Sequence, residues 1–133
     1  MKEDAARKIL KESKTVAVVG LSPRPEQYSY KVAKYLKNQG YKIIPVNPTI
    51  EEVLGEKSYP NLKAVPEPVD IVDIFRRPEF VPDIVREAIK IKAKVVWMQE
   101  GISNPQAAEE ALKSGLKVVQ NKCLMKEHKK MFR

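Results

Sequence analysis

The stretch Thr15-Val16-Ala17-Val18-Val19-Gly20-Leu21-Ser22-Pro23-Arg24-Pro25-Glu26-Gln27-Tyr28-Ser29-Tyr30-Lys31 decides the fold. Val16 to Val19 is continuously apolar and, apart from Ala17, β-branched, the pattern of a parallel strand covered on both faces. Gly20 permits a sharp turn or a close approach of the backbone to a ligand. Beyond the polar turn, Ser29 is placed to cap a helix with Val32, Ala33, Leu36 and Tyr35 on its apolar side. Strand, loop and helix in this order aim backbone N–H groups at the space above the strand, which suits phosphate.

The same alternation continues in both directions. Glu3 to Lys11 reads as a covering helix with Ala6, Ile9 and Leu10 on one side. Gly40 ends the second helix, and Tyr41 to Val46 forms a second strand in which Pro45, lacking a donor, leaves an N–H side unpaired. Asn47-Pro48 is a turn. Thr49 to Pro68 is irregular: one helical turn over Ile50 to Gly55, then extended Ser58-Tyr59-Pro60, a crossover along one edge. A third strand, Asp70 to Phe75, ends in Arg76-Arg77-Pro78, and a helix from Glu79 to Lys90 buries Val81, Ile84, Val85, Ala88 and Ile89. Lys94 to Met98 is the fourth strand, ending in Gln99-Glu100-Gly101. Asn104 caps a helix opened by Pro105, with Ala107, Ala108, Ala111 and Leu112 apolar and Gly115 closing it. Leu116 to Val119 is the fifth strand, followed by Gln120-Asn121-Lys122-Cys123 and a short basic helix. This order predicts an α/β fold: a doubly wound, mainly parallel five-stranded sheet with helices on both faces, as one domain over 1–133.

The chain has 133 residues, 43% hydrophobic and 32% charged, a globular rather than a disordered composition. No apolar run approaches the roughly 18–20 residues of a membrane span, and the N-terminus has no signal-peptide core. With one cysteine no internal disulfide forms, so the expected location is the reducing cytoplasm. The net charge of +8 favours anionic partners, although Lys122, Lys126, Lys129, Lys130 and Arg133 concentrate part of it at the C-terminus. No helix-turn-helix, zinc finger or RNA-binding aromatic signature accompanies that charge, which argues against nucleic acid.

In an open α/β sheet the ligand lies beyond the carboxyl ends of the strands, where strand order reverses. Polar residues collect at those ends: Ser22, Arg24 and Ser29; Asn47 and Pro48; Arg76 and Arg77; Gln99, Glu100 and Gly101; Asn121 and Cys123. The dinucleotide fingerprint requires G-x-G-x-x-G and an acid after the second strand. Here Gly20-Leu21-Ser22-Pro23-Arg24-Pro25 keeps only the first glycine, and Asn47 stands at the acid's place. Both departures weaken NAD; NADP, whose extra phosphate wants cations, is weakened less. A phosphate loop of the G-x-x-x-x-G-K-[ST] type is absent. Gly20-Leu21-Ser22 lacks the acids of a magnesium-binding receiver domain, and Asp70 and Asp73 read as capping or helix-facing residues of the third strand.

Val18-Val19-Gly20-Leu21-Ser22, Tyr28-Ser29-Tyr30-Lys31-Val32-Ala33, Ile44-Pro45-Val46-Asn47-Pro48, Val72-Asp73-Ile74-Phe75-Arg76-Arg77-Pro78 and Met98-Gln99-Glu100-Gly101 together resemble the small CoA-binding protein family. That family is similar to the N-terminal domain of the succinyl-CoA synthetase α subunit, and the resemblance runs from about Lys14 to His128. It implies a Rossmann-like domain holding coenzyme A or acyl-CoA across the strand ends. Gly20, Ser22, Pro23, Arg24 and Pro25 would correspond to the phosphate loop and Met98, Gln99, Glu100 and Gly101 to a second contact segment. Tyr28, Ser29, Lys31, Asn47, Pro48, Arg76 and Arg77 complete the implied site. The synthetase has a lysine shortly after the second strand where this chain has Ile50, so Arg24, Lys31, Arg76 and Arg77 would supply the cations. CoA carries about −3.5 to −4 charges at neutral pH, and arginine forks hold phosphate oxygens in pairs. Two arginines at a helix start, where the dipole disfavours cations, point to an anion nearby.

The synthetase's catalytic histidine belongs to a domain outside this resemblance. His128, the only histidine, reads as an exposed or packing residue, and Glu100 as an acceptor for the ligand. Cys123 reads first as a lone buried or semi-exposed cysteine; the alternative, given Lys122 and Lys126, is a reactive thiolate at the ligand edge that could form a mixed disulfide with the CoA thiol. The reading is a CoA-binding module without identifiable catalytic machinery, with an NADP-linked or other nucleotide-dependent enzyme as the alternative. A protein partner or homo-oligomer stays open.

Overall fold

The computed structural model describes residues 5–131. Helix α1 (Ala5–Glu12) buries Ala6, Ile9 and Leu10 as their spacing predicts; the expected start at Glu3 lies outside the described residues. Strand β1 (Thr15–Val19) is buried from Val16 onward. Helix α2 (Tyr28–Asn38) is followed by β2 (Lys42–Val46), and a two-stranded hairpin pairs β3 (Glu52–Val53) with β4 (Glu56–Lys57). Then come β5 (Ile71–Ile74), α3 (Val81–Lys90), β6 (Val95–Met98), α4 (Pro105–Lys113), β7 (Lys117–Val119) and α5 (Leu124–Lys130).

The main sheet has the order β2-β1-β5-β6-β7, and every neighbouring pair is parallel. Strand order reverses between β1 and β5, because the chain moves outward to β2 and then returns to the other side of β1. Strand alternation sends Ala17, Val19, Val72, Ile74, Val96 and Met98 towards α3 and α4. Val16, Val18, Ile71, Val95 and Trp97 pack in the opposite layer with residues of α1, α2 and α5. The expected doubly wound sheet, with a core on each face, is present.

Two local features differ from the sequence reading. Ile50 to Gly55 is no helical turn: Leu54 (φ 55°) and Gly55 (φ 75°) form the tight turn of the β3–β4 hairpin. Positive φ at both central residues matches the right-handed twist of paired strands. Lys37 on α2 anchors that turn, donating to the Leu54 carbonyl and pairing with Glu56 at 3.0 Å. Leu112, expected on the apolar side of α4, is 59% exposed, while Ala107, Ala108 and Ala111 carry the helix packing. The Asn104 cap is present, its Oδ1 accepting from Ala107 N at 3.0 Å.

Pro45 lies in the edge strand β2. Tyr59 N donates to its carbonyl at 3.0 Å and Asn47 N donates to Tyr59 O at 2.9 Å, so its missing N–H faces this outer segment and interrupts no ladder bond to β1. Asp70, before β5, accepts from Lys14 N at 2.7 Å and Thr15 N at 3.1 Å and meets Lys94 at 3.3 Å. Burial opposes its charge, but those bonds outweigh it and hold the carboxyl below its ordinary range.

Gly20 closes β1 with φ 90°, and its N–H donates to Val46 O at 3.0 Å. A Cβ there would run into the Phe75 carbonyl oxygen and lie 3.0 Å from Arg76 Cδ. Gly20→Ala therefore suffers both the left-handed backbone cost, about 1–3 kcal/mol, and an overpacking cost of about 1–3 kcal/mol. Gly55→Ala, whose nearest neighbour is Lys37 Nζ at an ordinary contact distance of 3.7 Å, suffers only the first. Urea unfolding of both variants should find Gly20→Ala clearly less stable; equal losses would remove the steric constraint.

Candidate functional site

The carboxyl ends of β1, β2, β5 and β6 open on one side of the sheet, around the reversal point. After Gly20 the chain buries Leu21 and turns through exposed Pro23, Arg24 and Pro25. The turn is held from within: Arg24 N donates to Ser22 Oγ at 3.1 Å, and Gln27 N to Arg24 O at 3.0 Å. Ser29 is not the cap of α2. It lies in the first turn of the helix, buried, and its Oγ accepts from Ser22 N at 3.0 Å. Gln27 occupies the cap position with no side-chain bond to the helix, and the first turn holds no acid. The leading N–H groups of α2 thus lack a side-chain acceptor from the cap, the arrangement an anion completes. Lys31 is exposed on the same helix.

Asn47 serves the scaffold. Its Nδ2 donates to Leu21 O at 3.0 Å, and its Oδ1 accepts from Thr49 N at 2.9 Å and Thr49 Oγ1 at 2.7 Å. The loops after β1 and β2 are thereby tied together. Pro48 lines a small cleft of about 110 Å³ with Val19, Val46, Asn61, Arg76 and Glu87.

The two arginines after β5 part company. Arg76 is half-buried, its stem beside Gly20, its guanidinium 4.3 Å from the Phe80 ring centre, and it lines the cleft. Arg77 points out, with 77% of its side chain exposed, and pairs with Glu79 at 3.3 Å. After β6, Met98 buries its side chain in the α3–α4 layer, and Gln99 turns inward to Asp73. Only Glu100 and Gly101 of that segment are exposed. Glu100 pairs with Lys126 at 2.7 Å, a bond that raises the lysine. Gly101 N donates to Asn121 Oδ1 at 2.6 Å.

Sequence reasoning missed the pairing of Tyr28 with Cys123. Tyr28 is 40% exposed, and its Oη lies 2.8 Å from Cys123 Sγ. Burial first, then this bond, pushes the phenol up. Cys123 is buried at the cap position of α5, so its sulfur sits beneath Tyr28 rather than open at the ligand edge. His128 packs edge-on against Tyr35 and Tyr41, with Tyr35 Oη 2.8 Å from Nδ1; burial lowers its basicity. Phe80, Asn61 and Glu87 also went unrecognised, since nothing in their local pattern marks them.

A larger cleft of about 420 Å³ lies at the opposite end of the sheet, lined by Glu12, Lys92, Lys94, Ser114 and Lys117. There α1, α3 and α4 end, and helix C-termini repel anions. Lys94 pairs with Asp70, and Lys117 lies 3.9 Å from Glu12. Lys94 and Lys117 are thus engaged with scaffold carboxylates.

The doubly wound, Rossmann-like sheet thus gathers an uncapped helix start and exposed cations at its carboxyl ends. Residues 14–129 match the CoA binding domain family, and the chain belongs to that family. It is 43% identical over 122 residues to the uncharacterized protein YneT of Bacillus subtilis, covering 92% of this chain and 90% of that one. A hypothetical protein from Pyrococcus horikoshii superposes with a TM-score of 0.93 at 40% identity, over the full length of both chains. Acetate–CoA ligase [ADP-forming] I of Archaeoglobus fulgidus is 31% identical over 121 residues; the match covers 84% of this chain but 18% of the ligase.

Burial of Cys123 gives a direct expectation. In the folded protein its thiol reacts slowly with a maleimide or with CoA disulfide, and Tyr28→Ala speeds that reaction by uncovering it. Mass spectrometry of timed samples reads both rates. Fast modification of the unaltered protein would show a thiol already open at the crevice.

Proposed function

We propose that the chain binds coenzyme A or acyl-CoA across the carboxyl ends of β1, β2, β5 and β6, as a binding module rather than a catalyst. The observation that carries this reading is the start of α2, where leading N–H groups lack a cap acceptor beside exposed Arg24, in a chain of the CoA-binding family. The pyrophosphate takes those N–H groups and Arg24. Arg76, already beside Gly20 and lining the small cleft, offers a fork to a further phosphate. Glu100 and Gly101 form the opposite wall through backbone groups and the Glu100 carboxylate. Asn47, Ser29, Met98 and Gln99 act by shaping the loops, because their side chains are engaged within the protein or buried. A dinucleotide is disfavoured at Asn47, whose amide is committed to Leu21 and Thr49 where an acid would receive ribose hydroxyls.

Titration calorimetry with CoA, dephospho-CoA, NADP and NAD tests the reading. CoA should bind in the micromolar range and weaken without its 3′-phosphate; preference for NADP would sink the proposal. Arg76→Ala should cost about 1.5–3 kcal/mol of binding, whereas outward-facing Arg77→Ala should cost no more than about 0.5 kcal/mol. Equal effects of the two would contradict the assignment of Arg76 to the ligand.

A further inference from the structure

Asp73 is an acid in the middle of a core strand. It is fully buried in β5, with Val18 of β1 and Trp97 of β6 as its register neighbours. By alternation with Ile71 it faces the layer of α1, α2 and α5. Gln99, also buried, donates from Nε2 to Asp73 Oδ1 at 2.7 Å. The other carboxyl oxygen, Asp73 Oδ2, and the Gln99 amide oxygen Oε1 are both buried without a partner.

Two orphaned acceptors on two side chains already joined through their other atoms have a simple chemical resolution. A carboxylic acid and a primary amide can share two hydrogen bonds: amide N–H to the acid's carbonyl oxygen, and acid O–H to the amide oxygen. The second bond uses the two atoms left over, and it needs one proton on Asp73. An ionised Asp73 would instead hold a buried charge against a single neutral donor, an expensive arrangement.

We propose that Asp73 is a positioning residue of the candidate crevice: as a neutral carboxylic acid it closes a two-bond pair with Gln99 and so fixes the turn Gln99 to Gly101. Gln99 is the hinge of that turn. Its carbonyl accepts from Ile102 N at 2.8 Å, but its own N–H reaches Ile74 O only at 3.4 Å, so the side chain supplies the firmer hold on β5. Burial pushes Asp73 up to about 8, only partly offset by the Gln99 bond. The facing elements bring Tyr28, Tyr30 and Tyr35 from α2, Tyr41 ahead of β2, Cys123 ahead of α5, and Glu127 and His128 from α5; α1 turns apolar residues inward, and Glu100 with Lys126 lies at the turn itself. Burial and, opposing it, the Gln99 bond are what move Asp73.

The sign follows from linkage. Loss of the proton breaks one bond of the pair and loosens the turn, so ligand affinity falls as pH rises through the Asp73 transition. This consequence for CoA rests on the proposed function; the effect on the turn does not. In a Cys123→Ser background, carboxyl ¹³C NMR of the ligand-free protein should show Asp73 neutral at about pH 6.5 and titrating by about pH 9.5, with the Glu100 and Gly101 amides following the same midpoint. In Asp73→Asn, which keeps an amide-sized partner for Gln99, those amides should no longer follow it. CoA affinity should fall several-fold over the same range, and Asp73→Asn should flatten that fall. A carboxylate already ionised at about pH 6.5, or amides indifferent to Asp73, would overturn the inference. If the amides follow Asp73 but CoA binds at no pH, the positioning role stands and the proposed function falls.

Discussion

The structure depends on how closely β1 and β5 end together. Gly20 leaves β1 in a left-handed conformation against the Phe75 carbonyl, where no side chain fits, and Arg76 runs alongside it. That approach brings the loop before α2 next to the arginine after β5, at the point where strand order reverses. A single glycine is enough, because Ser22 and the Arg24 carbonyl hold the rest of the turn. At the other two glycine positions of a dinucleotide fingerprint stand Ser22 and Pro25.

The sheet has two unlike ends. At the carboxyl ends, the uncapped start of α2 and Arg24 create a field that favours an anion. At the opposite end, the larger cleft receives the C-termini of three helices, and Lys94 and Lys117 pair with Asp70 and Glu12. Size alone favours the cleft at the helix C-termini, whereas the direction of the helix dipoles favours the carboxyl ends of the strands for an anion. The positive charge of the chain therefore includes lysines paired with scaffold carboxylates and arginines gathered at the carboxyl ends of the strands.

Much of the architecture was legible because Val16–Val19 and Val95–Met98 are buried on both faces and read as unbroken apolar runs, and Ile71–Ile74 departs from that pattern only at Asp73. The hairpin at Glu52–Lys57 was not, since Leu54 takes a left-handed conformation that its side chain does not advertise. Ser29 looks like a cap in sequence, but the helix begins two residues earlier, with Gln27 at the cap position, and the Ser29 hydroxyl receives Ser22 instead. Arg76 and Arg77 are indistinguishable as letters and opposite in placement. The Asp73–Gln99 pair was hidden for another reason: its members are 26 residues apart, and only the register of β5 on β6 brings them together.

The central claim is that CoA occupies the carboxyl ends of the strands. Mapping amide shifts in ¹⁵N-labelled protein during a CoA titration tests it most directly. The account predicts that the largest changes fall at Gly20, Ser22, Arg24, Arg76, Glu100 and Gly101, with the first turn of α2. Changes concentrated instead at Lys92 to Val95 and Ser114 to Lys117, around the cleft at the other end, would contradict it.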